Sequence, residues 1–203
     1  GNYGQGFLSF DCVIEIGNVS TNDIPNGKLS SWNTLKTLKV QVAHEDNYGF
    51  WLNKSFYDIQ QGDASNNADT SHNSSTYVRK PSLKLEAIGR KSDTTFLNSF
   101  FNERKGQVLE TVAGVCDGST VTVDSGTYTL ANITTGTSVD GTTYVDFPGS
   151  SIAYKPPAGT KQVIYKFNSL YARKSSNTSV GFTFFIDNTE VTSVKEYFGT
   201  ADD

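Results

Sequence analysis

Leu8, Phe10, Cys12, Ile14 and Ile16 alternate with Ser9, Asp11, Val13 and Glu15, a period of two that predicts a strand over residues 7–16 with one buried face. Leu38, Val40 and Val42 against Lys39 and Gln41 give a second strand. Leu83, Leu85 and Ala87 against Lys84 and Glu86 give a third. Phe50-Trp51-Leu52 with Phe56-Tyr57 forms an aromatic segment that also reads as strand. The intervening stretches differ in kind. Residues 17–28 are loop by composition, and Gln60 to Ser75 holds too little apolar material to pack, which predicts a projecting polar loop. Thr94 to Glu103 fits a short helix, with Phe96, Leu97, Phe100 and Phe101 on one side, or an irregular strand.

From Gly106 onward the chain reads almost continuously as short strands between turns. Gln107 to Thr111 opens this half, Ser119 to Val123 alternates, and Asp124-Ser125-Gly126 turns the chain into Thr127-Tyr128-Thr129-Leu130, a hairpin signal. A loop around Thr135 to Gly141 follows. Thr143 to Phe147 and Ser151 to Tyr154 are further strands, and Pro156-Pro157 must end the second because proline donates no ladder hydrogen bond. Val163, Tyr165 and Phe167 fall on one face with Gln162, Ile164 and Lys166 on the other. Val180 to Ile186, the turn from Asp187 to Glu190, and Val191 to Val194 complete the run.

Turn signals recur about every ten residues, the cadence of a sandwich rather than of βαβ units. The fold class expected is therefore all-β: an antiparallel sandwich, jelly-roll-like, with long polar loops. The polar segment Asn102 to Gly106 marks the best boundary, dividing the chain into an N-terminal β region, 1–105, with a possible part in assembly, and a C-terminal β-sandwich module, 106–203.

The blocks Gly106 to Thr111, Gly114 to Gly118, Thr120 to Val123 and Ser125 to Leu130 resemble virion structural proteins of marine double-stranded DNA viruses, notably cyanophage fibre-like proteins. So do Tyr144 to Ile152 and Pro156 to Tyr165. The resemblance covers roughly residues 106–203. It implies an all-β module on a virus exterior, of the sort that forms trimeric knobs, fibre tips or capsid decorations, and it carries over no catalytic residue.

Composition narrows the classes further. The net charge of −4 and pI near 5.2 give no electrostatic footprint for nucleic acid. No apolar run approaches the ~20 residues of a membrane helix. Methionine is absent even at position 1, which predicts a processed product or a fragment. Cys12 and Cys116 would bridge the two halves in an oxidising compartment, closing a loop worth ~4 kcal/mol on the chain-entropy estimate. In a reducing one each is a small buried hydrophobe.

Candidate chemistry is sparse, and no catalytic residue, cofactor or metal site is expected. His44 beside Glu45 and Asp46 reads as a solvated loop, since His72 offers no ligand spacing. Asp117-Gly118, Asp140-Gly141 and Asp187-Asn188 read as plain turns rather than calcium loops. Glu110 or Glu190 would need a facing partner to act as a glycosidase pair. Of the Asn-x-Ser/Thr sequons at Asn18, Asn53, Asn73, Asn132 and Asn177, Asn73 and Asn177 fall in expected loops and are the glycosylation candidates. Trp32 and Trp51 are the candidate glycan or receptor contacts; Trp32, in Ser30-Ser31-Trp32-Asn33, has the more loop-like setting.

Three functions fit this reading. The first is a non-enzymatic virion surface protein that homo-oligomerises, most simply as a trimer, beside other virion proteins and against a host-surface glycan, on the virion exterior. The second is a subunit of an extracellular filament built by strand donation. The third is a carbohydrate-binding β-sandwich module.

Overall fold

In the computed structural model, residues 4–44, 50–53, 78–89, 106–139, 141–173 and 179–198 are described. They form fourteen strands: β1 (Gly4–Ile16), β2 (Lys28–Leu29), β3 (Lys36–His44), β4 (Phe50–Leu52), β5 (Ser82–Gly89), β6 (Gln107–Val115), β7 (Thr120–Val123), β8 (Gly126–Thr129), β9 (Thr137–Val139), β10 (Val145–Asp146), β11 (Ile152–Tyr154), β12 (Thr160–Arg173), β13 (Val180–Ile186) and β14 (Thr189–Phe198). A single 3-10 turn, Ile24–Asn26, precedes β2. The expected helix or strand over 94–103, the loop 60–75, and Asn73 and Asn177 lie outside the described residues.

The architecture is an antiparallel β-sandwich. In the first sheet β12 is central: β1 pairs with it from Gly4↔Arg173 to Glu15↔Gln162, and β5 then β6 extend the opposite edge. Beyond the end of β5, β4 and β9 continue that edge, while β2 adds to β1 in parallel. The second sheet runs β3–β13–β14, with β10 and β11 end to end along the free edge of β3. The β7–β8 hairpin forms a third, two-stranded sheet. Among the described residues no helix is long and apolar enough to cross a membrane.

The alternation read from sequence decides which way each strand faces. Leu8, Phe10, Cys12 and Ile14 of β1 and Val163, Tyr165 and Phe167 of β12 point inward and are buried. They meet Leu38, Val40 and Val42 of β3 and Phe182, Phe184 and Ile186 of β13 in one apolar core. Aromatic rings join the layers: Phe184 lies 6.0 Å from Phe10 and 4.7 Å from Tyr165, and Phe147 lies 5.0 Å from Phe167. The sequence divides at 105/106, but the fold does not. β1, β3 and β5 from the first part are paired with β12, β13 and β6 from the second, so the expected boundary separates no packed units.

Backbone groups at the irregular edge of β3 are satisfied by one side chain. Between β10 and β11, Ser150 Oγ accepts from Val40 N–H at 3.1 Å and donates to Val40 O at 3.0 Å, standing in for a strand partner. Where β12 begins, Gly89 sits so close to the turn before it that a Cβ would run into the Gly159 carbonyl oxygen. Asp187, at φ 55°, closes the β13–β14 hairpin and is itself held by Thr37 N–H at 2.9 Å and Lys36 Nζ at 3.1 Å. Both Asp187 carboxylate oxygens thus serve the turn.

Candidate functional site

Two connections meet at the end of the sandwich where β12 begins. Pro156-Pro157 stops β11 after Tyr154, and the chain reverses through Ala158 and Gly159, the Thr160 hydroxyl donating to Pro157 O at 2.7 Å. Facing it is the β2–β3 loop, anchored where Ser30 N–H and Oγ–H both reach Asn22 Oδ1 at 2.9 Å. Between them lies an open cleft of about 390 Å³, whose walls include Ser31, Trp32, Asn33, Lys155, Pro157 and Lys161. Asp and Glu are absent from its lining. Lys155 and Lys161 are exposed and form no ion pair among the described residues.

Under the cleft runs a buried polar network. Trp32 is only 5% exposed and sets its edge against Tyr154, centroids 6.0 Å apart at 85°. Its Nε1–H has no hydrogen-bond partner among the described residues. Tyr154 donates to Glu110 Oε1 at 2.6 Å, and the same carboxylate accepts from Ser125 Oγ at 2.6 Å and Ser125 N–H at 3.2 Å. Tyr128 adds a ring 5.1 Å from Tyr154, and its hydroxyl donates to the Lys155 carbonyl at 2.9 Å. Burial first and the Glu110 carboxylate second push the Tyr154 hydroxyl far above the usual phenol range. The network ties β6, the β7–β8 hairpin and β11 to the strand end that carries Lys155.

Trp51 belongs elsewhere. It is half-buried in β4, its backbone paired with Ala172 and Ser138. Trp32 borders the start of β12 and Trp51 its end, roughly 40 Å apart at ~3.3 Å per residue, so they do not form one compact site. Trp32, read as loop-exposed, is buried because Tyr154 and the cleft wall cover it. His44, read as part of a solvated loop, is instead the buried last residue of β3, stacked 5.8 Å from Phe50. Asn53, the acceptor residue of a third sequon, is itself fully buried, its side chain donating to Pro148 O and accepting from Ser169.

Glu110 and Glu190 do not face each other. Glu110 belongs to the network above, whereas Glu190 accepts from Thr183 at 2.6 Å and lies 3.6 Å from Lys195 Nζ on the second sheet. That ammonium also sits 5.0 Å from the Tyr144 ring and 5.6 Å from the Tyr197 ring, and the Tyr197 hydrogen bond leads the effects that raise its pKa. Asp117 caps its own turn through Ser119 N–H at 3.0 Å; Asp140 lies outside the described residues. Among the described residues no cluster of His, Cys, Asp and Glu has the makings of a metal site.

Cys12 and Cys116 form no disulfide; both are free and buried, the Cys116 thiol donating to Gly149 O at 3.2 Å. Burial pushes the Cys12 thiol up to about 12, and burial with the nearby Asp117 pushes Cys116 up to about 11. Because the thiolate is the reacting species, neither should react with a disulfide reagent in the native protein at neutral pH, and both should react in denaturant. Rapid native labelling of either thiol would contradict this packing.

The sequence pointed to Trp32 but missed its companions. Nothing in the sequence marked Lys155 or Lys161, and the joint role of Glu110, Ser125, Tyr128 and Tyr154 is set by strands that are remote in sequence. Comparison with known proteins adds no family: no protein-family model, no curated protein and no solved structure matches this chain.

Proposed function

We propose that this chain is a non-enzymatic structural protein of a virion exterior, a fibre, knob or capsid decoration, that assembles with copies of itself and contacts the host surface. What supports the reading is the outer face of the first sheet. Among the described residues, four of the seven exposed large hydrophobic residues, Phe7 (64%), Val13 (45%), Val108 (47%) and Val115 (47%), lie on it by register. Phe7 stands beside Leu170, Val13 beside Ile164, and Val108 beside Ile88. Between these apolar bands the charges pair among themselves, Asp11 with Lys166 at 3.5 Å and Lys84 with Glu86 at 3.0 Å.

A sheet face that is apolar in bands and neutralised by its own ion pairs suits burial against another copy of this chain, and a ring of three would set it head to tail against a second surface of the neighbouring copy. Three is the number the fibre-like resemblance implies. The filament alternative requires β1 to leave its sheet, yet β1 buries Leu8, Phe10, Cys12 and Ile14 in its own core.

Native mass by light scattering over a range of concentrations tests the reading. The expected result is one discrete species of three chains. The double variant Phe7→Asp/Val13→Asp should run as a monomer with its unfolding midpoint little changed, since both side chains are exposed. A wild-type monomer at every concentration, or an open-ended size distribution, would overturn it.

A further inference from the structure

We propose that the cleft between the β2–β3 loop and the Lys155–Gly159 turn binds an acidic saccharide, with Lys155 and Lys161 receiving its anionic group. The inference deepens the host contact of the proposed function and takes its biological meaning from it.

Charge is the first argument. The chain carries a net charge of −4, yet this cleft presents two lysines and no carboxylate. Neither lysine is neutralised by an ion pair among the described residues. A surface that concentrates unpaired cations on an acidic protein is complementary to an anion.

The second argument is an unmet donor. Trp32 lines the cleft, is 5% exposed, and its Nε1–H has no partner among the described residues. Buried polar groups are nearly always hydrogen-bonded, and leaving one unpaired costs about 1–3 kcal/mol. An acceptor supplied from outside the fold would remove that cost.

Size separates a saccharide from a bare ion. About 390 Å³ is the space of on the order of ten waters, far more than one oxyanion fills and within the range of small-molecule sites. Ser31 and Asn33 add exposed hydroxyl and amide groups suited to ring hydroxyls, and Pro157 adds an apolar wall. The floor is rigid, because Tyr154, Glu110, Ser125 and Tyr128 are locked together beneath it and Tyr128 holds the Lys155 carbonyl. The polar groups of such a site are fixed before the ligand arrives.

The test follows the two indole N–H signals of the ¹⁵N-labelled 203-residue chain, assigned with Trp32→Phe, during titration with glucuronate, galactose 6-sulfate, galactose, sodium sulfate and an Asp/Glu-rich peptide. The Trp32 signal should move with one or both acidic sugars and stay still with galactose; which acid moves it identifies carboxylate or sulfate as the preferred anion. The exposed-site variants Lys155→Ala and Lys161→Ala should each weaken binding roughly tenfold. No movement with either acidic sugar overturns the proposal. Equal movement with sodium sulfate means an adventitious ion only, and equal movement with an Asp/Glu-rich peptide means a peptide site; either result overturns it. Light scattering on the same samples separates the two readings. Three chains without a Trp32 response sink the saccharide site alone, and a monomer with that response sinks only the assembly.

Discussion

Phe184→Ala should cost about 3–5 kcal/mol of folding stability, a large share of the roughly 5–15 kcal/mol that holds a domain of this kind. Phe184 is fully buried in β13 and lies in ring contact with two adjacent strands of the opposite sheet, Phe10 of β1 at 6.0 Å and Tyr165 of β12 at 4.7 Å. Truncation removes the ring's own transfer energy and leaves a cavity between two hydrogen-bonded sheets. Strands fixed by their ladders on both sides cannot collapse inward to fill it, so the cavity term should persist. Phe185→Ala, one residue along, is the control. Its ring faces outward, with Lys39 Nζ 6.0 Å from its centroid, and its loss should cost under about 1 kcal/mol. Guanidinium unfolding of both variants reads the difference as a shift in midpoint at constant slope. Equal midpoints would mean that the aromatic column is not what joins the sheets.

That column was half legible in the sequence. Alternation placed Phe10 and Tyr165 on buried faces because β1 and β12 each have one wet side, and a period of two records that directly. The same signal found β3 and β5. It did not find β2 or β9, strands of two or three residues defined only by partners they meet in space, β2 lying beside β1 and β9 beside β4. Nor did it show that the halves interleave, since pairing Gly4 with Arg173 is a property of the closed sheet.

The cleft was less legible still. Ser-Ser-Trp-Asn looks like an exposed loop because three of its four side chains are polar, and nothing local announces that Tyr154 will close over the indole. Lys155 and Lys161 flank a Pro-Pro turn, which reads as punctuation; only the opposite loop makes it the wall of a site. Glu110 showed its position but not its role. The sequence marks it only as a carboxylate in want of a facing partner, and the β7–β8 hairpin is what covers it.

Glu110→Ala should therefore destabilise the fold by about 3 kcal/mol, although no apolar contact of the central core is touched. The carboxylate is 8% exposed and accepts from Tyr154, from the Ser125 hydroxyl and from the Ser125 amide. Ser125 keeps a second contact, to the Tyr128 hydroxyl at 2.8 Å, so the heavier loss falls on Tyr154, whose fully buried hydroxyl would have no acceptor left in this network. Glu110→Gln should cost less, since one carbonyl oxygen remains to serve Tyr154 or Ser125 but not both equally. Tyr154→Phe in the Glu110→Ala background should then recover part of the loss, because it removes the stranded hydroxyl along with its missing partner. The cycle Glu110→Ala with Tyr154→Phe should show a coupling between about 0.5 and 3 kcal/mol, the signature of a contact rather than of two independent defects. Strict additivity, or an unfolding midpoint for Glu110→Ala equal to that of the parent chain, would remove Glu110 from the framework. The Tyr128 bond to the Lys155 carbonyl would then be the contact left to hold that end of the cleft.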